Sequence, residues 1–402
     1  MSSTPLQGLK VLDLSKVLAG PLCAQYLGDM GAEVVKVESP DGDETRGWPP
    51  FHVDADGTRT GAIFLSANRN KRSIAVDLRQ RAGQAVVQRL ADGADVVIES
   101  FGPGVAERLG VDAATLRARN PRLVCCNISG YGKVGPMRDG KGYDVILQAF
   151  SGMLSLTGEP GGAPVRSPFS PVDQATGLHA LAGILALLNE RHRTGVGGTV
   201  EAALFDTATA FLGYFLQSYW ERGTEPQRAG SGHESLCPYE AFDTADKPLI
   251  LGVANDGLWR RFCALAGLQD WVDRPGFASN AERVQNRAET VALVRAVLAR
   301  RPRDEWLPLL AEAGIPSSPL HTLGELSAHP HTQASGMVQQ LHDDQLGDWR
   351  TVSQPLRFDG ARALTRSAPP RCGADGGLVL ADAGYSADEV AALVAAGAVG
   401  LR

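Results

Sequence analysis

The sequence predicts an α/β protein: a mostly parallel sheet covered by helices on both faces, joined to a smaller α+β unit. Three observations predict it. Short apolar runs alternate with helical stretches through the N-terminal third of the 402 residues, the rhythm of consecutive βαβ units. Gly (46) and Pro (24) are frequent but dispersed between periodic segments, as short loops on such a scaffold require. After Gly223 the composition changes, which marks a domain boundary.

The elements follow in order. Leu9 to Leu14 reads as a buried strand, Ser15 to Gly20 as a turn, and Pro21 as the start of a helix that runs to Met30 and stops at Gly31. Glu33 to Glu38 is the next strand and completes one βαβ unit. Strand Ser73 to Leu78, helix Ala82 to Asp92 and strand Asp95 to Glu99 continue the pattern. A helix over Ala113 to Arg119 and a strand over Leu123 to Ile128 extend it. Alternation of this kind implies a parallel sheet, with ligands bound outside the carboxyl ends of its strands. A strong helix spans Gln174 to His192, with Leu178, Leu181, Leu185 and Leu188 on one stripe. A second spans Glu201 to Arg222. Beyond the boundary, Tyr239 to Phe242 and Leu249 to Val253 read as a hairpin. Helices follow near Leu258 to Leu265, Ala288 to Ala299 and Arg303 to Ala313. The last helix opens on the capping box of Ser386 and Glu389 and ends at Gly397. There is no internal repeat.

Lys and Arg number 39 against 45 Asp and Glu, a net charge of -6. A nucleic-acid partner calls for a basic excess, so that class is disfavoured. An anionic ligand has to be met by a local cluster of positive charge. The six Cys include no CxxC pair and no metal-ligand spacing. Cys125 and Cys126 lie in an apolar run and read as buried strand in a reducing compartment. No signal peptide opens the chain, and no stretch is apolar for the length a membrane span needs, so the expectation is a cytoplasmic protein with no membrane partner.

Several motifs have two readings. Gly130-Tyr-Gly-Lys-Val-Gly135 matches GxGxxG after a strand, but Pro136, Asp139 and Gly140 follow where a dinucleotide site needs a helix. A Gly-rich connecting loop is the better reading. Arg69, Lys71, Arg72 and Arg79 flank a strand, either as a solvated face or as a site for polyphosphate. No P-loop accompanies them. Asp173 stands just before the strongest helix, which suits an N-cap. The positive end of that helix would also keep the carboxylate ionised, and Gly-rich segments on the N-terminal side leave room for it to act as a nucleophile. Spacing does not choose between the two. The eight His are scattered, His179 sits within the apolar helix, and no Ser lies in a GxSxG elbow.

A series of segments stands out when taken together, starting with Leu6 to Leu14, Val17 to Pro21, Leu27 to Glu38, Gly42 to Arg46 and Asn68 to Ser73. It continues with Glu99 to Gly104, Arg108 to Gly110, Asn120 to Leu123, Ser129 to Gly132, Gly142 to Asp144, Gln148-Ala149, Thr157-Gly158, Asp173 and Thr194-Gly195. In that order the series resembles the class III CoA-transferases, the CaiB/BaiF group. The resemblance implies an interlocked homodimer. It also implies a Rossmann-like large domain built from both chain ends around a smaller α+β domain. Residues 1–198 would form its first part, 199–225 a linker helix, 226–330 the small domain and 331–402 a return segment.

The same resemblance implies transfer of CoA from an acyl-CoA to a small carboxylic acid. CoA is then a substrate, and no cofactor or metal is tightly bound. Asp173 would be the nucleophile, passing through a mixed anhydride and an aspartyl-CoA thioester. CoA contacts would fall on Leu18, Ala19, Arg72, Val76, Asp77, Leu78, Arg79, Ser100, Phe101, Gly102, Arg108, Lys141, Gly142, Tyr143 and Asp144. Arg79, Arg108 and Lys141 would meet phosphates. Ser39 replaces an adenine-stacking Arg, Ser100 replaces an Asn, and Gly230 to His233 stands in place of a longer glycine lid. These departures, with Trp48 to Phe51, point away from formate and oxalate and toward succinyl-CoA:dicarboxylate transferases. Racemases of the same fold carry His where this chain has Tyr143, a poor base for α-proton abstraction.

Overall fold

The computed structural model describes residues 4–401. Six strands of its main sheet run parallel: β1 (Lys10–Asp13), β2 (Glu33–Glu38), β3 (Lys71–Val76), β4 (Val96–Glu99), β5 (Val124–Ser129) and β6 (Thr199–Ala203). They pair in the order β3-β2-β1-β4-β5-β6, and a short antiparallel strand, Val399–Gly400, closes the β3 edge. This is the doubly wound order, with its reversal between β1 and β4. At such a point neighbouring loops leave toward opposite faces and a crevice opens between them.

Side chains alternate along each strand, so each face gathers its own core. On one face Val11, Val34, Val96, Ile98, Cys126 and Ile128 pack under α1 (Ala19–Asp29) and the long helix that carries Asp173. On the other, Leu12, Val37, Ile74, Val97 and Cys125 pack under α2 (Arg81–Asp92) and α3 (Ala113–Arg119), with Val379 and Leu380 of the C-terminal segment. Leu27, Ile98 and Ile184 are completely buried, worth about 2 kcal/mol each. Cys125 and Cys126 face opposite ways and both are buried, as their apolar run predicts.

α4 (Asp144–Phe150) and α5 (Pro171–Thr194) follow β5. α5 starts three residues earlier than periodicity suggests, with Pro171 in its first turn, and ends on Gly195 at φ 74°. It is long and apolar enough by composition to cross a membrane, which corrects the expectation that no stretch is. Its Val172, Ala180, Leu181, Ile184 and Leu188 are nevertheless packed into the sheet core.

The largest correction concerns the expected helix from Glu201 to Arg222 and the linker helix over 199–225. Thr199-Val-Glu-Ala-Ala is strand β6, paired in parallel with β5, and helix begins only at Leu204, as α6 (Leu204–Phe211). A further helix, Gly213–Arg222, follows after Leu212. Strand β3 also begins two residues before the expected Ser73, so Lys71 and Arg72 lie within it.

Contacts divide the chain into two units. One runs up to Met153, resumes over Ser167–Ser218 and returns from Pro330 onward; the other takes Leu154–Arg166 and Tyr219–His329. The second unit holds the expected hairpin, Tyr239–Phe242 with Leu249–Gly252, and adds an unforeseen third strand, Ser317–Pro319. Helices Asp256–Ala266, Arg287–Leu298 and Arg303–Glu312 enclose its core of Trp259, Phe262 and Trp306. The Ser386 capping box forms as expected.

Candidate active site

Because the six main strands are parallel, their carboxyl ends share one edge. The loop after β1 brings Leu18 and Ala19 there, and the loop after β4 brings Ser100, Phe101 and Gly102. The two meet across the β1–β4 crevice, where the Lys16 amide donates to Ser100 Oγ at 3.1 Å. The segment Val76 to Arg79 leaves β3 at the same edge. The Arg79 guanidinium pairs with Asp77 at 2.8 Å and is otherwise exposed. Arg72 lies on β3 itself and pairs with Asp382 at 2.6 Å. Arg108 stands exposed on the short helix Val105–Leu109, and Lys141 and Tyr143 are exposed just before α4.

The other half of the basic cluster is buried and structural, which corrects both of its readings, the solvated face and the polyphosphate site. Arg69 is buried and grips Asp29 through two hydrogen bonds. Lys71 is buried too, with Nζ donating to Asp13, Asn68 and the Pro21 carbonyl at 2.8–2.9 Å. Burial pushes Lys71 down to about 8 against the pull of Asp13. Beside it, buried Lys36 donates to Asp43 at 3.0 Å and to the Ser15 carbonyl at 2.9 Å. Asp43 also accepts from the Val17 amide at 3.3 Å, and Asp13 accepts from the Ser15 amide and hydroxyl. The four charges lie directly beneath the Ser15 to Leu18 loop. They hold Val17 at φ 71°, a left-handed backbone that a β-branched residue adopts only under constraint.

Asp173 sits in the first turn of α5 and is not its N-cap. That position belongs to Ser170, at φ 51° and ψ 59°, whose side chain makes no capping bond. The cap comes from α4: one oxygen of buried Asp144 accepts the Val172 amide at 2.8 Å and the Asp173 amide at 3.1 Å. Gln148 donates to the other Asp144 oxygen, and its own carbonyl accepts the Ser167 amide at 2.9 Å. Among the described residues none hydrogen-bonds to the half-buried Asp173 carboxyl. Burial first, and the Asp144 carboxylate second, push it up to about 7. This reverses the expectation that the helix end would favour the ionised form, because Asp144 has taken the amides that would have done so. One turn further along α5, a Cβ on Gly177 would lie 2.5 Å from the Ala19 carbonyl oxygen. Only glycine allows this approach, which brings the β1 loop within a turn of Asp173.

Gly130 to Gly135 opens no helix and forms the connecting loop expected of it. Its Gly130 packs backbone to backbone on Gly142, where a Cβ would come within 2.7 Å of the neighbouring Cα. A cavity of about 730 Å³ lies between α3 and the β4, β5 and β6 strands, lined by Val97, Glu99, Leu116, Asn127, Thr199 and Glu201; Asp173 is not in its wall. No cluster of His, Cys, Asp and Glu suited to a metal occurs among the described residues. Sequence reasoning missed the capping role of Asp144 and the four-charge network. The Gln four residues after Asp144, one turn along a helix, was the available signal for the first.

Comparison with known proteins adds a family. A sequence model of CoA-transferase family III matches residues 6–376. An acyl-CoA transferase of Fusarium pseudograminearum is 38% identical over 97% of this chain and 87% of its own length. A succinate–glutarate CoA-transferase of Agrobacterium fabrum is 37% identical over 94% of this chain and 95% of its own length. Among solved structures, a CaiB/BaiF family protein from Brucella suis superimposes with a TM-score of 0.84 at 37% identity, covering 95% of this chain and all of that one.

Proposed function

This chain belongs to CoA-transferase family III and is an enzyme of the CoA-transferase type, and from that premise we propose that Asp173 is its acyl-accepting nucleophile. The donor in this reading is succinyl-CoA or another dicarboxylyl-CoA, and the acceptor is a free carboxylic acid. One observation carries it: a half-buried carboxyl, free of hydrogen bonds among the described residues and more basic than an ordinary carboxylate, beside the strand-order crevice. An unencumbered oxygen of raised basicity is what attack on a thioester needs.

The Asp173 oxygen adds to the thioester carbonyl, the C–S bond breaks, and CoA leaves as thiolate. The thiolate then adds to the Asp173 carbonyl of the mixed anhydride, and the donor departs as a free carboxylate. The acceptor carboxylate attacks the resulting aspartyl-CoA thioester, expelling thiolate again. That thiolate takes the acceptor's acyl group and restores Asp173. No net proton is consumed, and backbone amides at the site stabilise the tetrahedral oxyanions.

CoA in this proposal lies along the carboxyl edge, on Leu18, Ala19, Val76 to Arg79 and Ser100 to Gly102, with Arg108, Lys141, Gly142 and Tyr143 around its anionic groups; Arg72, at the amino end of β3 and paired with Asp382, falls outside it. The Agrobacterium relative, named for succinate and glutarate, supports a dicarboxylate pair. The working assembly is proposed to be an interlocked homodimer; light scattering should return twice the mass of one chain. Incubation with succinyl-CoA and a panel of acids, read by mass spectrometry, tests the transfer. Asp173→Asn is expected to abolish new thioester while CoA binding stays within a few-fold. Full transfer by that variant refutes the reading.

A further inference from the structure

We propose that Asp144 is a positioning residue for the transfer, fixing the first turn of α5 from outside the helix and holding Asp173 beside a negative charge. The inference rests on the reading of Asp173 as nucleophile. It also gives Asp144 a task other than the CoA contact expected from the sequence.

The geometry is a relay from α4 to the start of α5. Ser167 donates its amide to Gln148 and accepts from it, and Gln148 donates to Asp144. Asp144 then accepts both first-turn amides, those of Val172 and Asp173. Three donors converge on a side chain that is 6% exposed, and a carboxylate, which only accepts, satisfies all three. The left-handed Ser170 sits between the two attachment points, so the turn into α5 is held at both ends.

The arrangement has an electrostatic result. A helix start normally offers its unpaired amides to an acidic side chain in the first turn. Here those amides belong to Asp144, and Asp173 faces a buried like charge. Other elements packed on α5 carry titratable groups: Cys23, Tyr26 and Asp29 on α1, Asp206 on α6, Glu201 on β6, Cys126 on β5. His179 and the charged residues near its C-terminal end lie on α5 itself. None of these acts on Asp173; its upward push comes from burial and Asp144. A more basic carboxylate attacks a thioester more readily and is a poorer leaving group from the anhydride, which evens the energies of successive steps.

The test compares kcat/KM against pH, kcat at the plateau and CoA affinity for the wild type, Asp144→Asn and Asp173→Asn. In Asp144→Asn the acid limb should move from near pH 7 toward lower pH, the part that burial sustains remaining. Its plateau kcat should fall about tenfold or more, with CoA affinity within threefold. A limb and kcat equal to wild type overturn the proposal, as does an unmoved limb with lost CoA affinity, which would make Asp144 a CoA contact. Asp144→Glu keeps the charge and reads the same limb if Asp144→Asn does not fold. A limb kept near neutrality supports the inference, and one fallen to the ordinary carboxylate range overturns it. Transfer by Asp173→Asn would sink the nucleophile and this inference together. A dead Asp173→Asn with an unaltered Asp144→Asn would sink this inference alone.

Discussion

A carboxyl pushed up to about 7 changes both rate and stability at Asp173. Protonated, it is no nucleophile, so kcat/KM should fall as pH drops below about 7. The folded protein also holds that proton between the ordinary value of 3.8 and about 7, where the unfolded chain has released it. The folded state therefore binds more protons in that window, and the group's contribution to stability decreases as pH rises through it. Asp173→Asn removes the penalty, so its gain in Tm should be larger at pH 8 than at pH 4; equal gains by calorimetry would contradict the raised basicity. The position of Asp173, the proposed nucleophile, was legible only through family resemblance, since its spacing also suited an N-cap. Its basicity was not legible at all. Burial is the larger cause, and the charge that adds to it, Asp144, is 29 residues upstream, where only the tertiary fold sets its oxygen on the Asp173 amide.

Among elements, the readable ones were those whose pattern has a single solution. The Ala113–Arg119 helix lies where periodicity puts it, and β2 spans the expected Glu33 to Glu38. β6 was misread because Thr199-Val-Glu-Ala-Ala runs into a helical stripe, and nothing local says that its amides pair with β5. Arg69 and Lys71 were misread because charge in a sequence points to water unless a partner is visible. Asp13, the partner of Lys71, lies 58 residues away. Both are completely buried, so deleting one strips the other of its direct partner. Lys71→Met should cost about 3–5 kcal/mol in urea unfolding. Asp13→Asn with Lys71→Met should cost less than the two separate losses added together. Strict additivity would mean that the pair does not interact.

Across the large unit, both ends of the chain build one sheet. Val399 and Gly400 pair with Val76 and Ala75, the Asp77 amide donates to the Ala398 carbonyl, and Gln80 donates to the carbonyl of Gly397. The late segment thus braces the Val76 to Arg79 loop proposed to meet CoA. Stopping the chain after Ala396 should weaken CoA binding several-fold by calorimetry, and should cost the Asp173 step less, because α5 and α4 keep their own contacts. Unchanged affinity would remove the brace from the binding argument. This closing strand was hidden in the sequence, since two residues carry no periodicity.

During synthesis, β3 is made more than three hundred residues before the strand that covers it, Val399–Gly400. Until the tail leaves the ribosome, Lys71–Val76 is an open sheet margin, with Ile74 and Val76 lacking Val379, Leu380 and Val399 over them. A bare margin of that kind invites pairing with a neighbouring nascent chain. Yield in a cell should therefore depend on how fast translation finishes and on which chaperones attend it, before any catalytic property counts.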